Sequence, residues 1–134
     1  MLTSRILAVL FFVVIVSSAG CGSGNQIAII PVEGTVQFAD GKPLPKGTRL
    51  IFNPAAGNTG SAMAVLEESG AFQVVHQSGK KGAGIGKYTI QVTAPEGQGA
   101  EFYKIVPRKY FDDGGILTAN VTEGMGSLKL VVMK

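Results

Sequence analysis

Apolar and polar positions along this chain fall into two regimes. Residues 6–16 are apolar without interruption, behind the lone charge of Arg5 and ahead of the small residues 17–20. Beyond residue 30 the pattern alternates with a period of two, the mark of strands with one buried face. Ile30, Val32, Val36 and Phe38 alternate with Glu33, Thr35 and Gln37, and Gly34 falls on the apolar side. Further strands are predicted over 48–52, 62–66, 71–76, 86–92, 117–121 and 127–132. Turn signals separate them: Asp40-Gly41, Asn53-Pro54, Glu67-Glu68-Ser69-Gly70 and Glu123-Gly124. Pro43 and Pro45 bar regular mid-sheet pairing after the first turn. No apolar period of 3.6 residues is read beyond the leader. About seven short strands at regular spacing predict an all-β fold, an antiparallel β-sandwich. Residues 100–113 break the pattern. They are aromatic and basic, are interrupted by Pro107, and read as a long crossover with one helical turn at 108–111.

The first 20 residues have the three parts of a secretory leader: a charged start, an apolar run of 11 and a small-residue end. A bilayer span needs about 20 apolar residues, so a spanning anchor is the weaker reading. Ser18-Ala19-Gly20-Cys21 resembles the lipobox of bacterial lipoproteins, departing from it at Ser18. The resemblance implies that Cys21 is lipidated and becomes the first residue of the mature chain. The alternative is an ordinary leader with an incidental cysteine. Cys21 is the only cysteine, so no disulfide is expected. Gly22 stands where an Asp often retains lipoproteins at the inner membrane, which favours the outer membrane if the cell has one. The expected organisation is a lipoprotein signal peptide over 1–20, the lipidated Cys21 with a flexible tether over 21–29, and a β-sandwich domain over 30–134.

The strand region resembles small bacterial lipoproteins with a carboxypeptidase-regulatory-like domain, a transthyretin-type β-sandwich with Greek-key connections. The resemblance rests on Val32-Glu33-Gly34-Thr35-Val36 before Asp40-Gly41-Lys42-Pro43-Leu44, on Ser69-Gly70-Ala71-Phe72, on the strand from Gly86 through Tyr88 to Val92, and on Pro107-Arg108-Lys109-Tyr110. It implies the fold and an envelope location and carries over no catalytic residues.

Without the leader, 114 residues remain, one domain by length. The leader holds one of the 12 basic residues and none of the 9 acidic ones, leaving a net charge of +2. That is too little for nucleic-acid binding, which needs a dense basic face.

Candidate chemistry is sparse. The glycine-lysine segment 79–87 fails as a phosphate loop: Lys81 replaces a required glycine, Tyr88 follows the lysine, and a strand rather than a helix comes next. It reads as a mobile inter-strand loop. His76 is the only histidine and lacks an evident catalytic or metal-binding set, so a strand-end role is expected and no cofactor or metal is assigned. The same count argues against hydroxyisourate-hydrolase chemistry. Asp112-Asp113 offers too few carboxylates for calcium and reads as a turn. Asn120 would join an isopeptide bond only beside a buried lysine and a carboxylate, and no early-strand lysine is evident.

Lys80, Lys81 and Lys87 would share a basic rim with Lys104, Arg108 and Lys109 if both loops lay at one end. Such a rim would face anionic headgroups or an acidic polymer; the alternative is solvated charge that protects sheet edges. Tyr103, Lys104, Arg108, Lys109 and Tyr110 form the candidate binding surface, with Phe102 and Phe111 nearby. A lid that plugs the sandwich is the competing reading. The functional expectation is a non-enzymatic envelope lipoprotein, held to the membrane by its lipid and presenting its domain to a protein or cell-surface polymer. The alternative is a small-ligand or glycan binder, or a weak hydrolase, using residues 101–113.

Overall fold

Why the chain alternates becomes plain in the computed structural model, which describes residues 27–56, 59–111 and 116–134. Strand β2 (Glu33–Phe38) places its even positions inward and its odd positions in solvent. Before it lies the short β1 (Ile29–Ile30). The strands that follow are β3 (Arg49–Pro54), β4 (Ala62–Val65), β5 (Ala71–Gln73), β6 (Val75–His76), β7 (Ala83–Gly84) and β8 (Gly86–Thr93). Helix α1 (Gly99–Ile105) and a 3₁₀ turn (Arg108–Tyr110) come next, then β9 (Leu117–Val121) and β10 (Leu128–Val132). The expected signal segment, Cys21 and Asp112-Asp113 lie outside the described residues, as does the expected tether through Gln26. Among the described residues, no helix is long and apolar enough to cross a membrane.

The strands form three open sheets, ordered β1-β7, β10-β2-β5 and β6-β4-β3-β8-β9. The inner faces of the two larger sheets feed one apolar cluster, and Phe72 of one meets Phe52 of the other at 6.2 Å between ring centroids. This β-rich architecture is consistent with an all-β sandwich.

Two features depart from the expected antiparallel seven-strand count. First, β10 runs parallel to β2, with Leu128 beside Gly34 and Val132 beside Phe38. A Cβ on Gly34 would collide with the Leu128 carbonyl oxygen, so the bare backbone there lets β10 approach. Second, ten strands are formed among the described residues. The predicted 30–38 strand divides at Pro31 and Val32, and the predicted 71–76 strand divides at Val74. There the chain changes sheets: β5 pairs with β2, whereas β6 pairs with β4.

A further strand, β7, lies inside the segment expected to be a mobile loop. Its residues pair with β1, and a Cβ on Gly82 would collide with the Ile30 carbonyl oxygen. Gly82 thus serves close backbone packing, and Gly84 makes room for the Ile27 and Thr59 side chains. The Asp40-Gly41 turn forms as expected: Phe38 N–H donates to the Lys42 carbonyl, and Gly41 takes a φ of 89°.

Candidate functional site

The crossover after β8 is built by three side chains at spacings of four. Phe102, Val106 and Tyr110 are each only 1% exposed and belong to the core cluster. Helix α1 has seven residues and no side-chain cap at Gln98. Isolated helices shorter than about 12–15 residues are marginal in water, so this packing is what holds it. Pro107 disfavours helical backbone at the residue before it. Val106 is extended, with φ −108° and ψ 122°, and the helix stops there. A helix therefore forms over Gly99–Ile105, where the sequence pattern predicts only loop before residue 108. The four-residue spacing was present in the sequence, but Pro107 divides it.

Side-chain bonds stitch the crossover to both larger sheets. Gln91 on β8 donates its side-chain N–H to the Phe111 carbonyl at 2.6 Å. The Met133 amide, just past β10, donates to the Tyr110 hydroxyl at 2.8 Å. Phe111 folds back on the helix, with centroids 5.7 Å from Phe102 and 4.6 Å from Tyr103. Tyr110, expected on the binding surface, is instead an internal tie: a ring with its hydroxyl bonded suits a buried site.

The other candidates remain outside. Tyr103, Lys104, Arg108 and Lys109 are exposed, and Ile105 joins them. Lys104 sits 3.6 Å from Glu101 in an exposed ion pair of the kind worth little. Lys109 lies 5.4 Å over the buried Tyr110 ring. A shallow depression of about 370 Å³ is lined by Tyr103, Lys104, Ile105, Val106, Pro107 and Lys134. No sequence motif singles out Lys134. It reaches the Asp40 carboxylate at 3.3 Å and lies 4.8 Å over the Phe38 ring. Asp40 is held below the ordinary carboxylate value, first by the Lys42 amide and then, against an opposing desolvation, by Lys134. Nothing in the sequence spacing brings 40 and 134 together; the parallel β2–β10 pairing does.

The single basic rim does not assemble. Lys87 sits at the start of β8, and the crossover leaves from its far end, about 20 Å along the strand at ~3.3 Å per residue. Lys81 bridges to Val75 at the opposite flank of the sheet from β9. Lys87 does stand across from Asn120 in the β8–β9 ladder, but both are exposed, which does not meet the buried setting an isopeptide bond needs.

His76 is buried and fully engaged in local bonds. Its Nδ1 lies 3.1 Å from the Ser78 amide, which can only donate, so Nδ1 is an acceptor. Nε2 then carries the hydrogen and donates to the Thr59 carbonyl at 2.7 Å. The Ser78 hydroxyl also sits 2.8 Å from Nδ1. A hydroxyl on a histidine resembles a nucleophile with its base, yet these two residues occupy one tight turn and the ring pins that turn to the residue-59 loop. Among the described residues, no three His, Cys, Asp or Glu side chains gather as a metal-binding group.

Comparison with protein-family models, curated proteins and solved structures finds no match.

Proposed function

We propose that this chain is an exported lipoprotein, anchored through Cys21, whose β-rich domain is a binding or structural module for an envelope protein or cell-surface polymer and performs no chemistry of its own. The address rests on the leader pattern and the lipobox-like site. The observation that carries the binding role is the two-sided crossover. Its inner side chains are packed in the core, while Tyr103, Lys104, Ile105 and Arg108 are exposed on its outer side. Tyrosine and arginine are enriched among the residues that carry most of the binding energy at protein interfaces. We read the facing sheets as a variant of the transthyretin-type, Greek-key sandwich that the sequence motifs suggest.

A second reading, a small-ligand or glycan binder, is favoured by the depression between Tyr103, Pro107 and Lys134. One experiment addresses both. Full-length protein is crosslinked in cells, and the captured material is compared with that from Tyr103→Ala and Arg108→Ala variants. Capture of one protein or polymer that falls at least tenfold in both variants, with unchanged thermal unfolding, is the expected outcome. Undiminished capture would place the binding face elsewhere. Glycan adducts without a protein partner would favour the second reading.

A further inference from the structure

We propose that β9 is a self-association edge, pairing antiparallel about Ala119 with β9 of a second copy of this chain. The direction of its backbone groups follows from its neighbour. The Ala55 amide donates to the Lys87 carbonyl, so Lys87 and alternate residues of β8 turn their backbone groups toward β3. Gly86, Tyr88 and Ile90 therefore turn theirs toward β9, where they face Val121, Ala119 and Leu117. Thr118 and Asn120 are left with N–H and C=O directed away from the sheet. Among the described residues, β8 is the only strand paired with β9.

Exposed edges are normally blunted by lysine, proline, a bulge or a covering segment. The other edges of the two larger sheets are guarded in this way or by being very short. Beyond β6 the chain doubles back, with Lys81 bridged to Val75 and the Gly82 amide bonded to the Val74 carbonyl. β10 carries Lys129, and the Met133 amide just past it is taken by Tyr110. β5 is only three residues long. In contrast, residues 116–122, Ile-Leu-Thr-Ala-Asn-Val-Thr, contain no charge, proline or glycine.

The occupant follows from the strand's own symmetry. Antiparallel pairing about Ala119 sets Thr118 opposite Asn120 of the second copy, and Leu117 opposite its Val121. The two Thr118–Asn120 pairs exchange the outward N–H and C=O groups of both chains. Because side chains alternate with period two, the apolar inner faces continue into each other, and Thr meets Asn on the outer face, where both are exposed. The smallest side chain, Ala119, falls on the two-fold axis, where non-hydrogen-bonded pairs approach most closely, at a Cα separation of about 4.5 Å. A charged strand would repel its own copy; this one is neutral.

The test uses full-length protein in non-ionic detergent, read by sedimentation velocity. Wild type is expected to form dimers. Thr118→Lys with Asn120→Lys sets lysines against lysines and is expected to weaken the dimer at least ~100-fold, since like charges in contact cost several kcal/mol. Thr118→Lys with Asn120→Glu sets opposite charges across both pairs and is expected to restore it. Circular dichroism checks that each variant is folded. In parallel, Ala119→Cys is expected to give a reducible crosslinked dimer under mild oxidation, with Cys21 alone as the control. A Cα separation of about 4.5 Å across the two-fold axis falls within the span of a disulfide. A monomeric wild type, a dimer that survives the double lysine, failure of the charge-swapped pair to recover, or no crosslink beyond the control would each overturn the proposal.

Discussion

The five-stranded sheet and the crossover that leaves it bury aromatic side chains equally well but secure them differently. In the sheet, Phe52 is 0% exposed, meets Tyr88 edge-on at 6.1 Å, and sits on a strand hydrogen-bonded on both sides by β4 and β8. In the crossover, Phe102 is 1% exposed, but the helix beneath it is one short uncapped element. Burial alone therefore does not measure how firmly a region is held. The ladders restrain the sheet wherever one contact is lost, whereas the crossover depends on three inward side chains and its ties through Gln91 and Tyr110.

The strongest way to break this comparison is a matched truncation. Removing a buried phenylalanine usually costs about 3–5 kcal/mol. Phe52→Ala is expected to show that full loss in denaturant unfolding, with faster hydrogen exchange throughout both larger sheets. Phe102→Ala is expected to cost less overall, because the crossover can detach before the sheets unfold. Its accelerated exchange should stay within residues 99–111 and at Met133. Equal losses with uniform exchange would show instead that the crossover belongs to the same cooperative unit.

A finer comparison uses the two buried tyrosine hydroxyls. Tyr88 donates to the Gly84 carbonyl at 2.7 Å, whereas Tyr110 accepts from the Met133 amide at 2.8 Å. Gly84 is buried and Met133 is exposed, so water can replace the partner only at Met133. Tyr88→Phe should therefore lower stability by about 1–3 kcal/mol, the cost of an orphaned buried group, and Tyr110→Phe by about 1 kcal/mol or less. Thermal and denaturant unfolding of the two variants checks the order; a reversal would mean that the crossover tie is sealed from solvent.

The same contrast explains what was legible in the sequence. Tyr88 lies in a period-two run with Ile90 and Val92, so the direction of each side chain follows from its neighbours. The alternation predicts strand β9 at its observed bounds for the same reason. Tyr110 sits where Pro107 interrupts the pattern, beside Arg108 and Lys109, and local composition made it look like surface. Its ring joins the core cluster, and the partner of its hydroxyl, Met133, lies 23 positions away and arrives through β10. The parallel pairing of β10 and the strand that changes sheets at Val74 are likewise matters of long-range partnering, which alternation does not encode. Of the candidate site, the exposed Tyr103, Lys104, Arg108 and Lys109 were visible as residue types, while the part played by Lys134 waited on the fold.

The smallest expected effect concerns Asp40, just past β2, and Lys134, just past β10, an ion pair at the end of the three-stranded sheet beside the crossover. The Lys42 amide at 3.0 Å, followed by the Lys134 charge, holds the Asp40 carboxyl below its ordinary value of 3.8. A depressed acid contributes stability that is complete above its unfolded value and lost as pH falls through the folded one. Wild type should therefore lose a small increment below about pH 3.8 that Asp40→Asn does not. The asparagine side-chain carbonyl can still accept from the Lys42 amide, so the turn itself should survive the substitution. Because Asp40 is solvent-exposed, salt should shrink the part owed to Lys134 while leaving the part owed to the amide. In an NMR titration, the Lys42 amide should move with the Asp40 carboxyl while the Val106 and Phe111 amides stay still. If those crossover amides titrate too, Lys134 couples the crossover to the end of the three-stranded sheet, and the crossover is less independent than its hydrogen bonding implies.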